Sequence, residues 1–289
     1  MPTTLVVKSN IGSTIAQNNV SKTSRSLQQS ITRLSSGLRL NSAADDAAGM
    51  AVSTGLRAQL GGFQQAVRNA NDGIAILQTA EAAYNTIADN LMRMRDLAVQ
   101  AANDGLTDKE RAYISTEFQD IQDDIDRISD VTEYNGTKLL DGSAGASGGA
   151  GSGGLMTFQV GTRDSTNDRI QIRLKDMDTS STNLNVAKST TKVATLASAQ
   201  AAITKIDNAI DFLSTERTQI GSKLNKLGNA VTNLGHTIEN LSEANSQIRD
   251  VDMASESAAF ASAQVLQQAG VAMLSQANSL PNLALRLLG

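Results

Sequence analysis

Residues 203–248 read "ITKIDNAIDFLSTERTQIGSKLNKLGNAVTNLGHTIENLSEANSQI". Apolar side chains stand at Ile203, Ile206, Ile210, Leu213, Ile220, Leu224, Leu227, Val231, Leu234, Ile238, Leu241 and Ile248, in steps of three and four. That spacing averages one apolar side chain every 3.5 residues, the period of a helix seam that packs against another helix. Arg217 and Asn245 are the polar positions in the seam; residues of that kind fix register at a cost in stability.

Such a seam needs a partner, and the chain supplies one. Leu56, Leu60, Phe63, Val67, Ala70, Ile74 and Leu77, then Ala80, Tyr84, Ile87, Leu91, Met94, Ala98 and Ala101 repeat the pattern. One extra step of three, from Leu77 to Ala80, reads as a stammer. The two stretches, about 43–103 and about 195–254, are each about 60 residues or about 90 Å long, and equal length predicts that they pair. A third helix is announced by Thr107-Asp108-Lys109-Glu110, a capping-box spelling, and continues through Ile114, Phe118, Ile121, Ile125 and Ile128. It is expected to fold back on the first as a hairpin. Its acids Asp120, Asp123, Asp124 and Asp126 read as a solvated face.

Residues 141–154, "DGSAGASGGAGSGG", form a flexible surface excursion, since no Lys-Ser/Thr follows to make a phosphate loop. "LMTFQVG" and "DRIQIRL" after it alternate apolar and polar residues, which predicts a small β-hairpin near 155–174 with one buried face. Upstream, "RLSSGLRLNSAADDAAGMAVS" (33–53) breaks a helix at Gly37 and Asn41. Ser42 with Asp45 spells a helix start, which would put Asp45 and Asp46 in the first turn, where the helix dipole favours carboxylates. This stretch is read as a joint between helices rather than a paired-carboxylate site. The fold class is therefore mainly α: long antiparallel coiled-coil helices, a small β-hairpin, and further helices at the two ends.

Composition narrows function further. Aromatic residues make up 3% of the chain and Trp is absent, so burial relies on aliphatic and small side chains. There is no cysteine, and His236 is the lone histidine. A Ser-His-Asp triad is open to a single histidine only beside a suitable nucleophile, and His236 sits next to a helix seam; no enzyme site, metal or cofactor is expected. All 29 acids lie between Asp45 and Glu256, so both ends are nearly uncharged, the first carrying only Lys8, Lys22, Arg25, Arg33 and Arg39. Ends of that kind cannot fill a core alone and are either disordered or fold against something else. Nucleic acid is a poor partner for an acidic chain with few aromatics. No run reaches the roughly 20 apolar residues of a membrane span, and "MPTTLVVKSN" lacks the marks of a cleaved signal. Met92 and Met94 read as packing, and "NVS" at Asn19 and "NGT" at Asn135 match the short glycosylation triplet. Near the C-terminus Leu266, Met273, Leu280 and Leu287 recur every seven residues with Gly270, Ala277 and Ala284 between, a stripe suited to close helix packing.

Four longer stretches carry a resemblance. "SLQQSITRLSSGLRLNSAADDAAGMAVSTGLRAQ" (26–59), "NANDGIAILQTAEAAYNTIADNLMRMRDLAVQAAN" (69–103), "EYNGTKLLDG" (133–142) and "SAQVLQQAGVAMLSQAN" (262–278), with the 248–253 region, resemble the bacterial flagellins in the family's order. The resemblance implies an inner domain of paired terminal helices, 1–42 and 255–289, disordered in the monomer and ordered in the filament core. It implies a second domain from 43–140 and 155–254, with the 141–154 excursion replacing the family's large outer domains. Leu27, Ile31, Leu34, Leu266, Met273, Leu280 and Leu287 then belong to the self-assembly core, and Gly37, Asn41, Ser42 and Asp45 to the spoke joint.

The same resemblance implies an extracellular subunit of the flagellum, exported through the flagellar secretion apparatus without a cleaved signal. Its partners would be further copies of itself, an export chaperone, and the cap and junction proteins. A Toll-like receptor pattern of the family is matched at Arg93, Leu97, Gln100 and Glu117, with Met92 and Asp96 where Gln and Glu are common. The competing expectation is a hook-filament junction protein, which shares flagellin-like ends.

Overall fold

The computed structural model describes residues 10–144 and 154–287, with side chains to residue 279. Most of the 141–154 excursion thus lies outside the described residues. In chain order the elements are α1 (Ile11–Ser36), α2 (Ala47–Ala101), α3 (Asp108–Val131), a hairpin of β1 (Glu133–Tyr134) and β2 (Thr137–Lys138), a hairpin of β3 (Gly154–Gln159) and β4 (Arg169–Leu174), α4 (Leu196–Arg249) and α5 (Met253–Leu287). The chain divides into two compact units, one of residues up to Ala58 with those from Asn240 onward, the other Gln59–Glu239.

The Gln59–Glu239 unit is built on the heptad seam. In α2, Ala70, Leu77, Tyr84, Leu91 and Ala98 form one line of buried side chains, and Gly73, Ala80, Ile87, Met94 and Ala101 form a second. Both lines repeat every seven residues without interruption, so the expected stammer is absent. Gly73 holds the position credited to Ile74, because a glycine does not register as apolar. A side chain there would press on Phe158 at 3.2 Å and Leu227 at 3.3 Å. The α4 line is Ala199, Ile206, Leu213, Ile220, Leu227 and Leu234. The approach of Leu227 to Gly73 and an ion pair between Arg95 and Asp207 at 2.6 Å set the two helices antiparallel.

The polar seam residue of this unit is not the expected one. Arg217 is half-buried, whereas its neighbour Glu216 is 4% exposed. It stands beside Tyr84, whose hydroxyl is buried without a hydrogen-bond partner. Burial raises the Glu216 pKa above the usual carboxylate value, with Lys175 opposing the shift. Glutamate one residue off the counted seam looks solvated in sequence, but the turn of the helix carries it inward.

α3 begins at the predicted capping box: Glu110 N donates to Thr107 Oγ1 (3.4 Å) and Thr107 N to Glu110 Oε2 (2.8 Å). Ile114, Phe118 and Ile125 pack into the core. The buried Arg111 guanidinium donates to the Ala101 carbonyl and reaches those of Leu106 and Asn103 at 3.3 and 3.5 Å. It thereby serves the last carbonyl of α2 and two carbonyls of the loop that follows it. The β1–β2 hairpin was not anticipated. Its turn is Asn135-Gly136, both at positive φ (50° and 76°), the pair that favours such a turn. β3 and β4 pair antiparallel from Gly154–Leu174 to Gln159–Arg169, with Ile170, Ile172 and Leu174 buried.

In the other unit the chain makes two helix-to-helix passages that bridge to each other. Gly37 takes the left-handed conformation (φ 70°) at the end of α1, and its N–H returns to the Arg33 carbonyl at 2.8 Å. Arg39 N donates to Arg249 O (2.7 Å) and Val251 N to Gly37 O (3.0 Å), around an antiparallel bridge of Leu38 and Asp250. The expected helix start at Ser42 moves by one turn. Asp45 instead accepts from Asn41 N (3.2 Å), Ser42 N (2.9 Å) and Ser42 Oγ (3.2 Å), closing a loop. The Ser42 and Asn41 amides hold its carboxyl below the usual range. Asp46 caps α2 by accepting from Ala48 N (3.0 Å) and Gly49 N (2.9 Å). A side chain at Gly49 would crowd the Asp46 carboxylate and Leu40, so a larger residue there would have to displace the cap. Asn245, the other polar seam position, accepts from the buried Ser53 hydroxyl at 2.7 Å.

Arg111→Met removes the guanidinium and leaves the Ala101 carbonyl and those of the following loop without this donor; a loss of about 2–3 kcal/mol is expected in urea unfolding of the monomer. Glu216 has a raised folded pKa, so the folded state holds a proton that the unfolded chain has released once pH exceeds 4.5, and stability falls as pH rises through that window. Glu216→Gln escapes that loss. It is expected to melt about 2 °C above the parent at pH 8 and no higher at pH 4, read by thermal unfolding at the two pH values.

Candidate functional site

α1 and α5 lie antiparallel and are pinned at both ends. At one end Asn10 Nδ2 donates to Ala277 O (3.0 Å) and Ser13 Oγ to Asn278 Oδ1 (2.6 Å). At the other, Ser30 Oγ donates to Glu256 Oε1 (2.6 Å), and Arg33 pairs with the same carboxylate at 3.6 Å. Glu256 lies in the first turn of α5 and Arg33 in the last turn of α1, so each charge also complements its helix dipole.

Between the pins the contact is narrow. The sheltered face of α1 is Ser13, Ala16, Val20, Thr23, Leu27, Ser30 and Leu34; that of α5 is Glu256, Phe260, Ala263, Gln267, Gly270, Leu274 and Ala277. Both follow heptad spacing, and small residues bring the backbones close: a side chain at Gly270 would stand 2.9 Å from Val20. Yet Ser30 is the buried residue of α1, and Ala263 that of the described part of α5. Large apolar side chains face outward instead: Ile11 (62% exposed), Ile15 (56%), Val265 (65%), Leu266 (61%) and Met273 (66%). Small residues such as Gly12, Ala16 and Ala269 leave a groove of about 390 Å³ beside Ile15, Leu266 and Met273.

The expected assembly residues thus fall into two groups. Leu27 and Leu34 face α5 and are half-buried. Ile31 is 42% exposed, and Leu266 and Met273 lie on the outer face of α5. The side chains of Leu280 and Leu287 lie outside the described residues. The joint residues Gly37, Asn41, Ser42 and Asp45 sit together at the end of α1, as described above.

In the Gln59–Glu239 unit Arg93 donates through Nε to Glu117 Oε1 at 3.0 Å, and both side chains are about half exposed. Gln100 is exposed about two turns further on. Leu97, expected to share this surface, is corrected to a core residue at 2% exposure. It lies on the inward side of α2 beside Ala98 and can act on the surface above only by holding it in place. His236 is on the helix surface. Among the described residues no group of His, Cys, Asp and Glu is arranged to hold a metal, and no helix is long and apolar enough to cross a membrane.

Comparison with known proteins agrees with this arrangement. Residues 7–145 match the bacterial flagellin N-terminal helical region, and residues 203–288 the bacterial flagellin C-terminal helical region. A flagellin of Halalkalibacterium halodurans is 37% identical over 284 residues, covering 98% of this chain and all of that one. A flagellin of Bacillus subtilis is 36% identical over 303 residues, covering 98% and 99%. A candidate flagellar hook-associated protein of Vibrio parahaemolyticus shares the fold, with a TM-score of 0.58 at 16% identity over 71% of this chain and all of that one. With both helical regions matched in order and full-length relatives above 30% identity, this chain belongs to the bacterial flagellin family.

Proposed function

We propose that the chain is the repeating subunit of a helical flagellar filament, a structural protein used for swimming rather than an enzyme. The carrying observation is the α1–α5 pair: two long helices that bury almost nothing against each other and turn Ile11, Ile15, Leu266 and Met273 outward. Exposed apolar area of this kind is stabilised when another copy covers it. A contact between copies that does not close on itself generates an open helical array.

From this follow the finer readings. The terminal segments, 1–42 and 255–289, order on assembly and form the inner core, while the coiled-coil helices of 43–140 and 155–254 lie outside them. Export precedes assembly, so a cytosolic chaperone covers the outward stripe of α5, and the cap and junction proteins meet the filament at its ends. The surface of Arg93, Gln100 and Glu117, with Leu97 beneath, is the element a host Toll-like receptor would read. The fold likeness to a hook-associated protein keeps a junction role as the competing reading.

Purified monomer incubated with short filament seeds is expected to extend them into long filaments in electron micrographs. Seeds that are capped without growth would favour the junction role. Leu266→Glu with Met273→Glu, which puts charge on the exposed side of α5 beside the groove it shares with α1, is expected to slow extension at least about tenfold. Amide hydrogen exchange supplies a separate check: residues 11–36 and 257–287 should exchange almost freely in the monomer and become protected in the filament. Protection already present in the monomer would overturn the coupled-folding reading.

A further inference from the structure

A cleft of about 560 Å³ opens between the tip of the β3–β4 hairpin, α2 and α4, wholly within the Gln59–Glu239 unit. Its floor is apolar: half-buried Phe63 of α2, with buried Val160 and Ile170 of the hairpin and Leu234 of α4. Its two walls are polar. Lys226, Asn229, Asn233 and Thr237 line the α4 side at i, i+3, i+7 and i+11, one face of a helix. Opposite them stand Asn167, Asp168 and Arg169 of the hairpin turn. The volume falls in the range of small-molecule sites, and an apolar floor with a few convergent polar groups is their usual make-up.

The hairpin wall is fixed from behind. Asn69 Nδ2 of α2 donates to Gln159 O at 3.0 Å, and Gly62 lets the turn sit so close that a Cβ there would stand 2.7 Å from Thr162 Cγ2. Val160 N donates to Asp168 O (2.8 Å) and Arg163 N to Asp168 Oδ2 (3.1 Å), while Arg169 donates to Gln159 Oε1 (3.1 Å) and pairs with Asp164. The groups left over differ in kind. Asn167 and Asn233 enter the hydrogen bonding through backbone atoms, Asn167 N donating to Ser165 Oγ and Asn233 O accepting from Thr237 Oγ1. Among the described residues the amides of Asn167, Asn229 and Asn233 and the Lys226 ammonium are uncommitted, and all are exposed.

A side-chain amide holds donors and acceptors in one plane, and a sugar hydroxyl is at once donor and acceptor, so the two match where a charged group alone does not. Asn229 and Asn233 stand one turn apart, about 6 Å at Cβ, and reach different hydroxyls of one bound sugar, with Asn167 facing them across the cleft. The C–H face of a sugar ring is apolar and fits the Phe63 floor. Lys226, at the end of the row, adds a positive charge that favours an acid. We propose that this cleft is a carbohydrate site whose ligand is a saccharide bearing a carboxylate, a uronic-acid sugar.

Other small-molecule classes fit less well. A nucleotide phosphate calls for free N–H groups at a helix N-terminus. Here α4 passes the cleft in mid-helix, and the Arg163, Asn167 and Asp168 amides are already hydrogen-bonded. A wholly apolar ligand would take water from the asparagine amides and return no hydrogen bond. The hairpin wall lies in the 146–202 stretch that neither flagellin helical region covers, so the selectivity it lends belongs to this chain's own middle segment.

Amide-resolved NMR titration of the full-length monomer tests the site, and its result stands apart from whether the chain assembles. The probes are the disaccharide of glucuronic acid and N-acetylglucosamine and, as a neutral counterpart, lactose. Saturable shifts are expected at Phe63, residues 160–170 and residues 226–237, with the acidic disaccharide bound about threefold to fivefold more tightly at low salt. Asn233→Ala, on the exposed face of α4, should leave the helical circular dichroism unchanged and weaken the acidic sugar about tenfold, with Asn229→Ala as the second variant. Lys226→Gln should erase the preference for the acid while neutral binding persists. The proposal is overturned by shifts that do not saturate with either sugar, by unaltered affinity in both asparagine variants, or by an acid preference that survives Lys226→Gln.

Discussion

Every helix of the central unit takes its place from one constraint: two side chains in each seven residues of α2 must be covered. Leu77, Tyr84 and Leu91 on one line, and Ala80, Ile87 and Met94 on the other, are fully buried because α4 returns alongside with its own seven-residue line. α3 and the β3–β4 hairpin close the remaining sides. The hairpin can approach because Gly73 offers no side chain to Phe158. Burial of this many aliphatic and small side chains, at about 25 cal/mol for each Å² removed from water, does in this chain what a few large aromatics do elsewhere.

The terminal helices obey the same period with the opposite outcome. They too carry heptad stripes, but the inward residues are Ser, Ala, Thr and Gly more often than Leu or Phe, and several large side chains lie on the outer faces. Polar pins at Asn10, Ser13, Ser30 and Glu256 set how the two helices register, while the apolar surface that would make the pair stable is left for another molecule. A repeat alone therefore does not say whether a seam is satisfied within a chain or between chains. Residue size on the inner face does.

Which features could be read before the fold was known follows from what repeats. The long helices of the Leu56 and Ile203 seams, the capping box at Thr107 and the alternation in β4 are periodic or local and lie where expected, although one line of each seam is displaced by a residue, as at Ile74 and Arg217. Gly73 hid in the α2 seam because it lacks a side chain to count. Asp45 and Asp46 stand before α2 instead of in its first turn because Asp45 satisfies the loop amides behind it and Asp46 caps the helix. The Asn135-Gly136 turn was legible in principle and passed over. Arg111 and Glu216 were illegible for a different reason: each is a charged residue buried by a contact outside its own helix, with the Ala101 carbonyl and with Tyr84. For the assembly surface, the leucine repeat from Leu266 pointed to the right helix, and only the fold separated its outer face from the small-residue face turned to α1.

The bridge of Leu38 with Asp250 has a mechanical consequence. α1 and α5 leave this short antiparallel pairing in the same direction, so tension applied through both termini loads its hydrogen bonds in sequence instead of all at once. An arrangement of that kind unzips at low force. The terminal helices can accordingly be peeled back or re-seated with little work at the joint, while each long helix resists the same pull along its axis with a full column of backbone hydrogen bonds.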